Sequence, residues 1–175
     1  MLFSIFLKAA ARIRKELPDT AFTVIKAPTL PREVYEERIK KYGVPVRIVE
    51  KNAYAVIQAS DLAIVCSGTA TLECALLGTP MLISNRGSFV TYVAAKSVIR
   101  VKHLGLPNLI LGEKKFPELL QYDATPDKIA SSALKILGDE KTQQSMRKAC
   151  EEVSKRIGET GAGDRAAEEI LALLG

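Results

Sequence analysis

The chain has no tryptophan, a single histidine and three cysteines among 175 residues, and no long stretch without charge. Its longest run lacking Asp, Glu, Lys and Arg is the 12 residues from Cys74 to Asn85. A helix needs about 20 apolar residues to cross a bilayer, so no membrane-spanning helix is expected. Cys66, Cys74 and Cys150 are odd in number and form no Cys-x-x-Cys pair, which excludes a disulfide frame and predicts reduced core thiols. There is no Asp-x-Asp, no His-Glu-x-x-His and no Cys/His cluster, so neither a metal site nor a cofactor is expected. A P-loop is absent as well. His103 has no acid–nucleophile pattern beside it and reads as a loop or interface residue. Nothing in the chain supplies a convincing nucleophile or general base.

What is present points to a packed domain. Aliphatic, aromatic and cysteine residues make up 47% and charged residues 26%, which excludes a disordered tail. The length suits one domain, or half of a two-domain enzyme. Met1 to Leu7 is apolar but short, and its basic residues follow instead of preceding it. It therefore reads as the start of a helix in a cytoplasmic chain, not as a signal peptide. The net charge of +5 is uneven: residues 1–58 carry 11 basic and 6 acidic groups, residues 112–175 carry 10 and 12. An excess of positive charge in the first two thirds suits an anionic partner such as a nucleotide, a phospholipid surface or nucleic acid, without choosing among them. With so few aromatics clustered among the basic residues, single-stranded nucleic acid is not expected.

Hydrophobic period and punctuation give a repeated alternation. Residues 2–17 read as an amphipathic helix ended by Pro18, 21–25 as a short strand, and 31–42 as a helix stopped by Gly43. Residues 44–49 form the next strand and 52–59 a short helix. Leu62 to Cys66 is the clearest buried strand, followed by a helix over 70–77 and a strand over 80–84. Residues 88–99 read as a helix and 108–111 as a short edge strand; from Pro117 onward everything reads as helix, with breaks near 123–125, 138 and 158–163. Repeated βα units predict a doubly wound α/β domain with a parallel sheet. The division expected is an α/β domain over 1–122 with a helical segment over 123–175 packed on it. Such a sheet normally opens with a strand that lies at its centre, in the order 3-2-1-4-5-6. This chain opens with a helix, so the first, central strand is expected to be missing.

The most informative segment runs from Asp61 to Glu73, a strand passing through Ser67-Gly68-Thr69 into a helix. Gly68 permits close backbone approach, and free amides with the hydroxyls of Ser67, Thr69 and Thr71 can hold an anion. Glu73, one turn in, can accept hydrogen bonds from a ribose diol. The same residues would also serve as ordinary helix caps and dipole partners. Asn108, in Leu106-Pro107-Asn108, can donate to a phosphate or sugar oxygen or simply close its own turn. Glu118 and Gln121 can reach a ligand sugar or lie on a solvated helix face. Phe89, Val93, Lys96, Arg100 and His103 fall on one stripe if the helix continues that far. Half apolar and half basic, it has the composition of a surface that meets anionic lipid, or of a helix packed at one end and solvated at the other.

The run Ala59–Glu73 containing Ser-Gly-Thr-Ala-Thr-Leu-Glu, then Leu106-Pro107-Asn108 and Pro117-Glu118-Leu119-Leu120-Gln121, resembles bacterial lipid-A-disaccharide synthase over almost the whole chain. The resemblance implies the C-terminal half of an inverting, metal-independent GT-B glycosyltransferase. Such an enzyme joins UDP-2,3-diacylglucosamine to 2,3-diacylglucosamine 1-phosphate (lipid X) and releases UDP, working peripherally at the cytoplasmic face of the inner membrane of Gram-negative bacteria. Ser67, Gly68, Thr69, Thr71 and Glu73 would then hold the UDP diphosphate and ribose, with Asn108 and Gln121 near the phosphate or glucosamine. The family's acceptor-binding N-terminal half, with its candidate catalytic acid, is not represented, so the catalytic residue is expected outside this chain, in a companion chain if the enzyme is split. Two other readings stay open: the donor half of another UDP-sugar GT-B enzyme, such as the one adding N-acetylglucosamine to peptidoglycan precursors, and a non-catalytic nucleotide-binding or docking module.

Overall fold

A computed structural model describes residues 2–87, 103–158 and 161–174. The predicted helix over 88–99 lies outside the described residues. The chain begins with α1 (Leu2–Glu16), which buries Ile5, Leu7, Ala9, Ala10 and Ile13 on one face and places Arg14 and Lys15 at its negative C-terminal end. β1 (Phe22–Ile25), α2 (Arg32–Tyr42) and β2 (Val46–Val49) follow. Gly43 ends α2 in the left-handed conformation (φ +63°), the stop expected from the sequence. Next come α3 (Ala53–Gln58), β3 (Ala63–Cys66), α4 (Thr69–Leu76) and β4 (Met81–Asn85). α5 (Leu106–Leu111), β5 (Glu118–Leu120), a 3₁₀ turn (Gln121–Asp123), α6 (Pro126–Leu137), α7 (Glu140–Ile157) and α8 (Ala162–Leu174) complete the described elements.

Two expectations are corrected. Residues 108–111 belong to helix α5, whose first turn contains Pro107, and not to an edge strand. Residues 118–120 pair with β4 as a strand, where helix was expected. Leu119 and Leu120 suit a helix locally; the open side of β4, made of fully buried residues, outweighs that preference.

All strand pairs among the described residues are parallel. β3, β4 and β5 form one ladder in that order, and β1 with β2 another. β4 is its centre, with Met81, Leu82, Ile83 and Ser84 fully buried, as a strand covered on both faces must be. α6 lies against α1, and α7 against α4 and α5, closing a core that includes Phe116, Ile129, Ala133, Cys150 and Val153. The described side chains of α8 are all exposed. Cys74 and Cys150 are buried, and loss of water pushes their thiols up to about 11 and about 12. Cys66, expected in the core, is exposed at the end of β3.

The split into two ladders fits the missing central strand. In a parallel ladder successive residues turn their N–H and C=O to opposite sides. The Lys26 amide donates to Val49 O (2.9 Å), so Phe22 and Val24 face β2 while Thr23 and Ile25 face away. Likewise the Ala63 amide donates to Pro80 O and that of Ser67 to Ser84 O, so Ile64 and Cys66 turn from β4. The main chains of these four residues thus lie on one edge of β1 and one edge of β3 that have no ladder partner among the described residues. Amide hydrogen exchange checks this: Thr23, Ile25, Ile64 and Cys66 are expected to exchange well before Val24 and Val65, whereas equal protection would show that these edges are paired.

Candidate functional site

The strands of a parallel ladder all finish at one edge, so the segments after β3, β4 and β5 converge. The segment after β3 is Ser67-Gly68-Thr69. Gly68 has φ +150° and ψ −164°, a conformation that side-chain-bearing residues rarely adopt, and no atom lies within 4 Å of the place a Cβ would take. Among the described residues nothing fills that side of the turn, and Gly68, Thr69 and Ala70 are exposed. Thr69 opens α4, whose first amides have no acceptor inside the helix. Among the described residues the first amide with a backbone partner is that of Thr71, donating to Gly68 O (3.1 Å). Among the described residues the N–H groups at the start of α4 therefore have no partner, at the positive end of the helix, where an anion is favoured.

The hydroxyls behave differently from expectation. Ser67 Oγ donates to Leu104 O (2.8 Å), and Thr71 Oγ1, fully buried, donates to Gly68 O (2.7 Å). Both protons are spent on shaping the turn. Thr69 alone of the three is exposed. Glu73 is half-buried one turn into α4.

Asn108 is fully buried and every polar group of its side chain is engaged. Its Nδ2 donates to Phe116 O and to Glu118 Oε1 (2.8 Å each), and its Oδ1 accepts from the amides of Lys115 and Phe116 (2.9 Å each). The side chain expected on a phosphate or sugar instead ties α5 to the segment entering β5. Gln121 follows β5 with φ +50°, an uncommon conformation for this residue type, and its Nε2 lies 3.6 Å from where a Cβ on Gly87 would sit. It therefore stands at the same sheet end, just past β4, as does the exposed Arg86. Phe89, Val93, Lys96 and Arg100 lie outside the described residues. His103, in the loop before α5, is half-buried. No helix among the described residues is long and apolar enough to cross a membrane, and none of their acidic, Cys and His side chains form a group of three suited to a metal.

The sequence reading passed over Glu118 and Gly105 as parts of one assembly. The Glu118 carboxylate accepts from the amides of Leu104 (3.0 Å) and Gly105 (3.1 Å) besides Asn108. A Cβ on Gly105 would stand 2.3 Å from Ile83 Cδ1, so the backbone here packs directly on the buried Ile83, which would have to move for any larger residue. A glycine before Pro-Asn was the only trace of it in the sequence.

The sequence profile described as lipid-A-disaccharide synthetase matches residues 1–171. This chain belongs to that family. Within it, the chain is 38% identical over 169 residues to the lipid-A-disaccharide synthase of Anaeromyxobacter dehalogenans (strain 2CP-C), covering 96% of this chain and 44% of that protein. It is 35% identical over 174 residues to the synthase of Geobacter sulfurreducens, covering 99% of this chain and 45% of the relative. This member thus spans less than half the length of the relatives it matches. A crystal structure of a Listeria monocytogenes protein assigned as a UDP-N-acetylglucosamine 2-epimerase shares the fold, with TM-score 0.58 and 15% identity over 83% of this chain and 34% of that one. The family is one of glycosyltransferases, and the α/β architecture fits the Rossmann-like half of a GT-B fold.

Replacing Asn108 by Ala takes the acceptor from the Lys115 and Phe116 amides and a donor from Phe116 O, and leaves Glu118 Oε1 with the Gly105 amide alone. Urea denaturation of Asn108→Ala is expected to show a loss of about 3 kcal/mol. A loss within about 0.5 kcal/mol would mean that these bonds do not hold α5 in place.

Proposed function

We propose that this chain is the donor-nucleotide half of a lipid-A-disaccharide synthase. The observation that carries the reading is the Gly68 turn at the carboxyl end of β3, where the first amides of α4 have no partner among the described residues. In doubly wound sheets that end, beside the central strand, is where ligands bind. The N–H groups at Thr69 and Ala70 would hold the UDP pyrophosphate, with the Thr69 hydroxyl beside them. Ser67 and Thr71 would set the turn's shape, and Glu73 would take the ribose hydroxyls. Gln121 would reach the glucosamine or its phosphate, while Asn108 would act from behind by fixing α5.

The reaction would transfer 2,3-diacylglucosamine from UDP-2,3-diacylglucosamine to 2,3-diacylglucosamine 1-phosphate, with inversion. The leaving UDP gains negative charge as the glycosidic bond breaks. Preorganised amides stabilise that charge more in the transition state than in the ground state, a role that needs no metal ion. Removing the proton from the acceptor hydroxyl needs a base, which the reading assigns to the other half of the enzyme. The chain by itself would then bind donor without transferring it. The open edges of β1 and β3 support a further parallel strand between them, brought by the polypeptide that carries that half. Contact with the anionic inner-membrane surface through Phe89, Val93, Lys96 and Arg100 rests on their composition.

Calorimetric titration with UDP tests the site, and proline at position 69 offers a selective variant. Proline removes one N–H yet is well tolerated at the first position of a helix. Thr69→Pro is expected to weaken UDP binding about tenfold or more, and Thr69→Ala, which keeps the N–H, by less. Absence of saturable binding by the unaltered chain would leave only a docking role.

A further inference from the structure

We infer that Glu118 is a positioning residue: a built-in anion that sets the place of the Ser67–Thr69 turn from the opposite side of the site. The inference deepens the nucleotide-site reading and rests on it for its effect on UDP. Glu118 begins β5, so its backbone is fixed by the ladder with β4. Its two oxygens accept from Leu104 N, Gly105 N and Asn108 Nδ2 at 3.0, 3.1 and 2.8 Å. None of the ion pairs among the described residues involves Glu118; three N–H donors compensate its charge.

Those bonds fix the peptide groups of 104 and 105. The carbonyl of Leu104 is in turn the acceptor for Ser67 Oγ. A continuous path therefore runs from β5 through Glu118, the backbone at 104 and Ser67 to the turn that Gly68 opens. Each link is a hydrogen bond of 3.1 Å or less, and the backbone at Gly105 packs against the buried Ile83 of β4. A second consequence concerns charge. The amides of Leu104 and Gly105 are occupied by a carboxylate, so they are closed to a ligand phosphate, and the pyrophosphate is confined to the amides after Gly68.

Glutamine in place of Glu118 turns a donor toward one of the N–H groups that the carboxylate now satisfies, while alanine empties the place. The test compares the unaltered chain, Glu118→Gln and Glu118→Ala, the last with and without about 100 mM formate, whose carboxylate can refill the gap. Exchange of the Leu104 and Gly105 amides is followed by NMR, and UDP affinity by calorimetry. Protection of both amides is expected to fall in the two variants and to recover in part with formate. UDP binding is expected to weaken about fivefold in Glu118→Gln, more in Glu118→Ala, with formate restoring part of the latter. Unchanged amide protection in both variants overturns the inference, as does weakened protection with UDP affinity intact. If the unaltered chain does not bind UDP, the nucleotide reading fails while the exchange result still decides whether Glu118 holds the 104–105 backbone.

Discussion

A parallel ladder releases all of its strands at one edge, and the main-chain groups freed there must find partners or face water. At the end of β3 the first amides of α4 have no partner among the described residues. Gly68 takes a backbone conformation that only glycine adopts readily, and α4 starts immediately, leaving amides with no acceptor inside the helix. The surrounding structure reads as support for this arrangement. β4 is buried on both faces and aligns β3 with β5. Thr71 braces the turn from beneath and Ser67 from the side.

That support depends on burying polar groups, which is costly unless each is paired. Asn108 and Thr79 show how the cost is met: both are fully buried, and both give their polar atoms to backbone groups of neighbouring segments, Thr79 Oγ1 donating to Ile57 O at 2.8 Å. No buried side-chain polar atom among the described residues lacks a partner. The exposed ion pairs, Arg12–Asp127 and Arg32–Glu50 among them, add little by comparison, because solvent screens both members.

The α/β class, the helix stop at Gly43, the buried strand before Ser67 and the discontinuity in the sheet were all legible in the sequence, because periodicity and punctuation encode them directly. Residues 118–120 were not: three residues are too few to carry a period, and Glu-Leu-Leu favours helix until β4 supplies an edge to pair with. Asn108 was legible as special but not as buried, since an asparagine after proline looks the same whether it meets a ligand or its own backbone. The commitments of the Ser67 and Thr71 hydroxyls are likewise set by partners distant in space or hidden beneath the turn. Sequence shows which residues can donate a proton; only packing shows where the proton goes.

The account turns on whether the amides after Gly68 receive a pyrophosphate. The most direct measurement is a titration of ¹⁵N-labelled chain with UDP, following every backbone amide. The largest shift changes are expected at Thr69 and Ala70, saturating together, with Leu104 and Gly105 little affected. Saturable changes centred elsewhere, with Thr69 and Ala70 unmoved, would contradict it.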